Sequence, residues 1–387
     1  MEENKNLGLY IHIPFCVEKC LYCDFVSYKV SDAEKHKSIE TYIKALKEEI
    51  SFYKDELGRA HIKTIFIGGG TPSSIEGRYI LEIVNHLKQF NPLTALEEFT
   101  IEVNPGTLNE EKINAYLSAG INRVSMGVQS SRDSLLKSIG RIHTFNEFLT
   151  TYHGIREKGF RNINLDMMFG LPGQTLEDVL HTVKILADLM PEHISAYSLK
   201  IEEGTPMYRL YESGALVLPD EATERDMYRV ICKELETRGY HQYEISNFAK
   251  EGLESRHNLT YWRNEPYLGF GVAAHSKMDS VRFNNYSNMM AYTSAIEKGN
   301  KPVEEEIQID ESEDLFETII LGLRLNEGLE IEAINAAYNM DFLSMYQEAI
   351  SRLEEQGLIV MSEGRNRMSL TDRGRDLSNQ VFLAFMA

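Results

Sequence analysis

Short apolar runs bounded by glycine, proline or polar residues recur through the first half of the chain, at positions 7–13, 64–67, 99–103, 123–128, 162–168 and 194–199. Between them, apolar residues fall at helical spacing over 33–57, 79–90, 110–119, 145–158 and 176–190. Strand, helix, strand in this repetition predicts parallel β/α units joined by right-handed crossovers. Six strands fall short of the eight of a closed barrel, so the predicted fold is α/β, built on an open, partial (β/α)6 TIM-like barrel.

The strand patterns carry a second message. The inward positions of a closed barrel are mostly branched and apolar. Here alternate positions are polar: Tyr10 and His12, Glu102 and Asn104, then Asn162, Asn164 and Asp166. Residues two apart share a face of a strand, so one face is polar while Ile11, Ile13, Ile101, Val103, Ile163 and Leu165 can pack on helices. Placed inward, that polar face makes a lumen that implies a ligand. From about residue 303 the pattern changes to helices and a hairpin, 358–361 and 367–370 around a turn at Gly364. This predicts a small, mostly helical, winged-helix-like domain.

Composition narrows the classes. Hydrophobic residues make up 43% and charged residues 26% of 387, which argues against disorder. No apolar run approaches the ~20 residues of a membrane span, and MEENKNLGLY lacks a signal-peptide core, so a cytoplasmic chain is expected, with a peripheral position at the membrane left open. A net charge of −19 argues against nucleic acid as a partner. Residues 301–387 hold 7 basic and 18 acidic side chains, which turns the winged-helix-like pattern away from DNA.

Of four cysteines, Cys16, Cys20 and Cys23 lie within eight residues, spaced C-x3-C-x2-C directly after the first strand. In a reducing compartment such clustering points to metal rather than a disulfide. Iron–sulfur cubanes are normally held by four thiolates, so three local ones leave one iron open to an exchangeable ligand. The rival is structural zinc, which needs four closed ligands. Cys232 lies mid-helix and reads as a small core residue.

This cysteine spacing, with an aromatic residue before the last cysteine, resembles the radical S-adenosylmethionine (SAM) superfamily. The resemblance implies one [4Fe-4S] cluster on Cys16, Cys20 and Cys23, with the amino and carboxylate groups of SAM on the open iron. There an electron from the cluster cleaves the sulfonium, and the protein supplies placement and shielding. It also implies SAM contacts from Tyr10, Tyr22, Gly69, Gly70, Thr71, Glu102, Gln129, Arg141 and Asp166, with Glu102 accepting from ribose hydroxyls. His275, in a loop after Gly269, is a weaker addition to that set.

The run Tyr10-Ile-His-Ile-Pro-Phe-Cys16, with Gly-Gly-Gly-Thr-Pro at 68–72, Gly127-Val-Gln129-Ser and Asp166-Met-Met-Phe-Gly-Leu-Pro-Gly173, resembles the oxygen-independent coproporphyrinogen dehydrogenase group, HemN and its relatives. The resemblance implies a partial barrel over 1–215, an extension over 216–300 and a C-terminal accessory domain over 301–387. The dehydrogenase itself carries an extra cysteine where this chain has Phe25, and a longer segment before the first strand. His257-Asn258-Leu-Thr-Tyr261-Trp262 is similar to the H-N-x-x-Y-W motif of the haem chaperone branch, HemW. A histidine can ligate haem iron, and Tyr and Trp can pack on a porphyrin face. His257, Asn258, Tyr261 and Trp262 are therefore the candidate haem residues, His257 first as iron ligand. Haem, a haem-accepting protein (membrane-associated or not) and a reducing electron donor are the implied partners. Coproporphyrinogen III dehydrogenation is the alternative. Whether the chain is an enzyme stays open, because of Phe25.

Overall fold

A computed structural model describes residues 5–29 and 35–386. The predicted strands form as β1 (Asn6–Ile13), β2 (His61–Gly69), β3 (Glu98–Val103), β4 (Arg123–Gln129), β5 (Asn162–Phe169) and β6 (His193–Ser198), each parallel to the one before. The crossovers run through α1 (Lys35–Phe52), α2 (Gly77–Leu87), α3 (Glu110–Ala119), α4 (Phe145–Glu157) and α5 (Leu176–Asp188). The helix expected over 33–57 is two helices, because the chain breaks at Tyr53 and resumes as Lys54–Arg59; residues 33 and 34 lie outside the described residues. Capping boxes start α4 (Thr144 with Glu147) and α5 (Thr175 with Asp178), each satisfying two otherwise orphaned N–H groups.

The alternation works as expected. Val124, Met126, Val128, Ile163, Leu165, Met167, Ile194 and Ala196 are buried in the core that the strands share with the helices. The opposite positions of the same strands carry Ser125, Asn164, Asp166 and Ser195. Removing the apolar side chains from water is the main stabilising term, about 25 cal/mol per Å² buried.

Beyond β6 the sheet grows at both edges. β7 (His241–Glu244) and β8 (Asn247–Ala249) add to β6 as an antiparallel hairpin, after helix α6 (Glu221–Thr237). The chain then forms α7 (Arg256–Trp262) and returns to the far side of β1 as β9 (Tyr267–Phe270), which pairs parallel with it. The partial barrel therefore has a seventh parallel strand, one more than the alternation predicts. β10 (His275–Met278), β11 (Val281–Asn285) and β12 (Val303–Gln308) follow in antiparallel succession, completing a twelve-stranded sheet.

A second core begins with α8 (Glu311–Gly322). It packs Ile319, Leu323, Ile334, Phe342, Ile350, Leu353, Met368 and Phe385 around a three-stranded sheet ordered β13 (Leu329–Glu330), β15 (Arg367–Leu370), β14 (Ile359–Met361). The predicted hairpin is present, with Gly364 at φ +81° in its turn. Among the described residues no helix is long and apolar enough to cross a membrane.

Candidate functional site

Pro14 ends β1, and the chain enters a loop whose two ends are tied together: Phe15–Cys16 pairs parallel with Tyr28–Lys29. Inside the loop, the Leu21 N–H donates to the Ile139 carbonyl at 3.1 Å, and the Leu21 carbonyl accepts from the Met207 N–H at 3.0 Å. Leu21 and Tyr22 pack on a small apolar cluster that includes Leu135, Ile139, Met168 and Met207. The buried His12 ring bonds Tyr10 Oη at 3.0 Å through Nδ1 and the Val26 carbonyl at 2.8 Å through Nε2, just beyond the last cysteine. Cys16, Cys20 and Cys23 are free thiols, each half-buried. Burial pushes the Cys16 and Cys23 thiols up from their ordinary value.

All three cysteines line one cavity of about 360 Å³ that runs from the C-terminal ends of the strands down to Arg123 at the start of β4. The polar face supplies much of the wall, with Glu102 from β3, Arg123, Ser125 and Gly127 from β4, Asn164 and Asp166 from β5, and Ser195 and Tyr197 from β6, beside the apolar Phe25, Phe66, Val103 and Met168. Tyr22, Gly69, Gly70, Thr71, Gln129 and Arg141 also reach it, so eight of the nine expected SAM contacts share this wall with the cysteines. Tyr10 does not; it stacks on Phe66 behind the wall, with ring centroids 6.3 Å apart.

The triple glycine serves the protein's own groups. A Cβ on Gly68 would stand 2.9 Å from Glu102 Oε2, and one on Gly70 would meet the Phe15 backbone at 2.9 Å. These absences let the Gly69 N–H donate to Glu102 Oε2 at 3.1 Å. Burial first, then the nearby Asp166 carboxylate, push Glu102 up to about 8. Asp166 is also raised by burial, although it accepts from Ser125 Oγ at 3.1 Å and Asn164 Nδ2 at 2.8 Å. A cavity holding two carboxyls that resist ionisation suits a ligand offering hydroxyl or amino groups. Gln129 sits at a break in the β4–β5 register with φ +66°, an uncommon conformation for a non-glycine residue that accompanies functional walls.

The Cys-loop aromatic is connected to the opposite wall. Arg141 Nη2 donates to Tyr22 Oη at 2.9 Å and Nη1 donates to Asn104 Oδ1 at 2.7 Å, while Asn104 Nδ2 donates to Thr71 Oγ1 at 2.9 Å. Thr71 Oγ1 lies 3.6 Å from Cys16 Sγ.

The H-N-x-x-Y-W residues occupy α7 and do not share one surface. His257 is buried, with Nδ1 bonded to Thr64 Oγ1 at 2.8 Å and Nε2 to Tyr261 Oη at 2.9 Å, and its ring stacks on Phe66. Burial pushes this imidazole down to about 3, so it is neutral. Both ring nitrogens are therefore engaged inside the protein. Asn258 alone of the four reaches the cavity. Trp262 turns the other way, packing beside Tyr243 and Leu325 with the Arg324 guanidinium 4.5 Å over its ring. His275 is the exposed first residue of β10, not part of a loop, and is absent from the cavity wall. Cys232 sits in α6 against the main core, also away from the cavity.

The radical SAM superfamily profile matches residues 10–186, and that of the HemN C-terminal domain matches 309–377. "Heme chaperone HemW" of Bacillus subtilis is 39% identical over 378 residues, covering 97% of this chain and 98% of its own. The chain belongs to the HemW family. "Heme chaperone HemW" of Lactococcus lactis is 36% identical, covering 99% of this chain and 98% of its own. Among solved structures, coproporphyrinogen III oxidase (HemN) from Escherichia coli superposes with a TM-score of 0.85 over 100% of this chain and 91% of that one; at 22% identity this shows a shared fold.

The radical SAM superfamily implies a [4Fe-4S] cluster and SAM, and the site fits both. Three half-buried thiols on a braced loop face one cavity, and Cys232 is elsewhere. The same wall carries Arg141, whose Nε is buried without a hydrogen-bond partner among the described residues. Among those residues no group of three or more His, Cys, Asp or Glu side chains is gathered closely enough to hold a single metal ion. A cubane spreads its thiolates over different irons, so its ligands need not meet at a point.

Asn104 and Asn164, read from the sequence as part of the polar lumen face, do line the wall, whereas sequence reasoning missed Arg123, Ser125, Ser195 and Tyr197. Strand parity held the signal for most of them, because they lie two positions from one another or from a residue already singled out. Gly140 was also missed. It has φ +78°, and a Cβ there would lie 2.9 Å from Leu21 Cγ and 3.0 Å from Leu21 N. Gly140→Ala should therefore push the cysteine loop off its brace, lowering iron per chain after anaerobic reconstitution and costing more than ~1 kcal/mol of stability. Wild-type iron loading in that variant would show that the brace is dispensable.

Proposed function

We propose that this chain is a haem chaperone, binding haem and passing it to an acceptor protein, with one [4Fe-4S] cluster on Cys16, Cys20 and Cys23 and SAM on the open iron. The observation that carries this reading is near-full-length similarity to proteins named haem chaperones in a chain with Phe25 at the position of the dehydrogenase's extra cysteine. When bound, cluster and SAM supply one-electron chemistry at a sulfonium. Tyr22, Gly69, Gly70, Thr71, Glu102, Gln129, Arg141 and Asp166 bind and orient SAM in the cavity, and Tyr10 holds His12 behind it. Haem binds through the α7 region. There His257 must release Tyr261 Oη before Nε2 can meet iron, so haem capture is coupled to an opening of α7. The acceptor, membrane-bound or not, and the electron donor dock on a chain that works in the cytoplasm.

Haem titration of the reconstituted protein should produce a Soret band that weakens in His257→Ala, with circular dichroism confirming that the variant is folded. Coproporphyrinogen III supplied with SAM and reductant should remain unconverted. Its oxidative decarboxylation would overturn the chaperone reading in favour of the dehydrogenase.

A further inference from the structure

The contacts between Arg141 and Cys16 have a fixed direction. A guanidinium only donates, so Asn104 Oδ1, 2.7 Å from Arg141 Nη1, must be the acceptor. This fixes the Asn104 amide with Nδ2 toward Thr71, where it donates to Oγ1 at 2.9 Å. Having accepted that bond, the Thr71 hydroxyl keeps its single proton for its other neighbour, Cys16 Sγ at 3.6 Å. Each bond polarises the next, so a permanent cation is relayed to one cysteine sulfur. The far side of the same guanidinium holds Tyr22 Oη, so the relay begins and ends within the cysteine loop.

We propose that the Arg141–Asn104–Thr71 relay sets the reduction potential of the cluster by donating a hydrogen bond to the Cys16 sulfur. The inference rests on the cluster reading above but not on haem delivery. One-electron reduction adds a negative charge that the cluster shares with its thiolates, and a donor at the sulfur favours the reduced form. Thr71→Val deletes the O–H while keeping the shape. Thr71→Ser keeps the donor. Asn104→Asp reverses the relay, because the new carboxylate still accepts from Arg141 and now also accepts the Thr71 proton.

The test uses the full-length chain, reconstituted anaerobically without SAM or haem and titrated with dithionite while electron paramagnetic resonance follows the reduced cluster. Thr71→Val and Asn104→Asp should shift the midpoint to more negative potential, and Thr71→Ser should stay near wild type. If Thr71→Val fails to load iron, Asn104→Asp carries the test. A loaded Thr71→Val or Asn104→Asp at the wild-type midpoint, or Thr71→Ser shifted as far as Thr71→Val, overturns the relay. A wild-type chain that assembles no reducible cluster overturns the cluster reading itself.

Discussion

Replacing Cys16, Cys20 or Cys23 with alanine, one at a time, should leave a protein that stays colourless after anaerobic reconstitution, with iron near zero and no cluster absorbance. Each thiolate is expected to hold a different iron, and two hold a cubane poorly. No neighbour can substitute: Cys232 is half-buried in α6 against the core, and it does not reach the cavity. Cys232→Ala should therefore reconstitute like wild type. The wild-type reduced cluster should change its paramagnetic spectrum when SAM is added, because the proposed three-thiolate ligand set leaves the fourth iron to SAM. Loss of iron in Cys232→Ala, or a full cluster in any of the three loop variants, would show that the ligand set is wrong.

The parallel strands were legible because a lumen that is polar on one side imposes a period of two. Asn164 and Asp166 alternate with Ile163 and Leu165, and the structure sends the first pair to the cavity and the second pair to the core. The cysteine loop was legible because its chemistry is local in sequence. What stayed hidden was set by long-range packing. β9 is four residues between Pro266 and Gly271, too short to show a period, and its parallel place beside β1 depends on a chain return of more than two hundred residues. Nor could spacing reveal that the two nitrogens of His257 are occupied by Thr64, far away in the sequence, and Tyr261, one turn along. The triple glycine illustrates the same limit. Its residues read as backbone making room for a ligand, whereas they first make room for Glu102 and Phe15.

Glu98→Ala should be the most damaging substitution outside the cysteine loop, destabilising the chain by about 3–5 kcal/mol. Glu98 is buried at the start of β3 and holds α7 in place: its carboxylate accepts from the Arg256 N–H at 2.9 Å, the His257 N–H at 3.1 Å and Ser255 Oγ at 3.3 Å. The negative charge also suits the positive end of the helix. On its other side, Arg123 Nε lies 3.9 Å from Glu98 Oε2, and the Arg123 side chain is 2% exposed. Removing the carboxylate strands a buried guanidinium and orphans two helix N–H groups together, and an uncompensated buried charge is the larger of these penalties. Glu98→Gln keeps an acceptor without the charge and should fall between wild type and alanine. Adding Arg123→Met to Glu98→Ala should recover part of the loss, since it removes the stranded charge but not the orphaned N–H groups. Urea midpoints of the four proteins measure this ordering, and a Glu98→Ala variant within about 1 kcal/mol of wild type would refute it. The effect should extend into the cavity. Glu98 anchors the helix that carries His257 and Asn258, Arg123 and Asn258 both belong to the cavity wall, and so a loosened α7 should weaken SAM binding as well as haem capture.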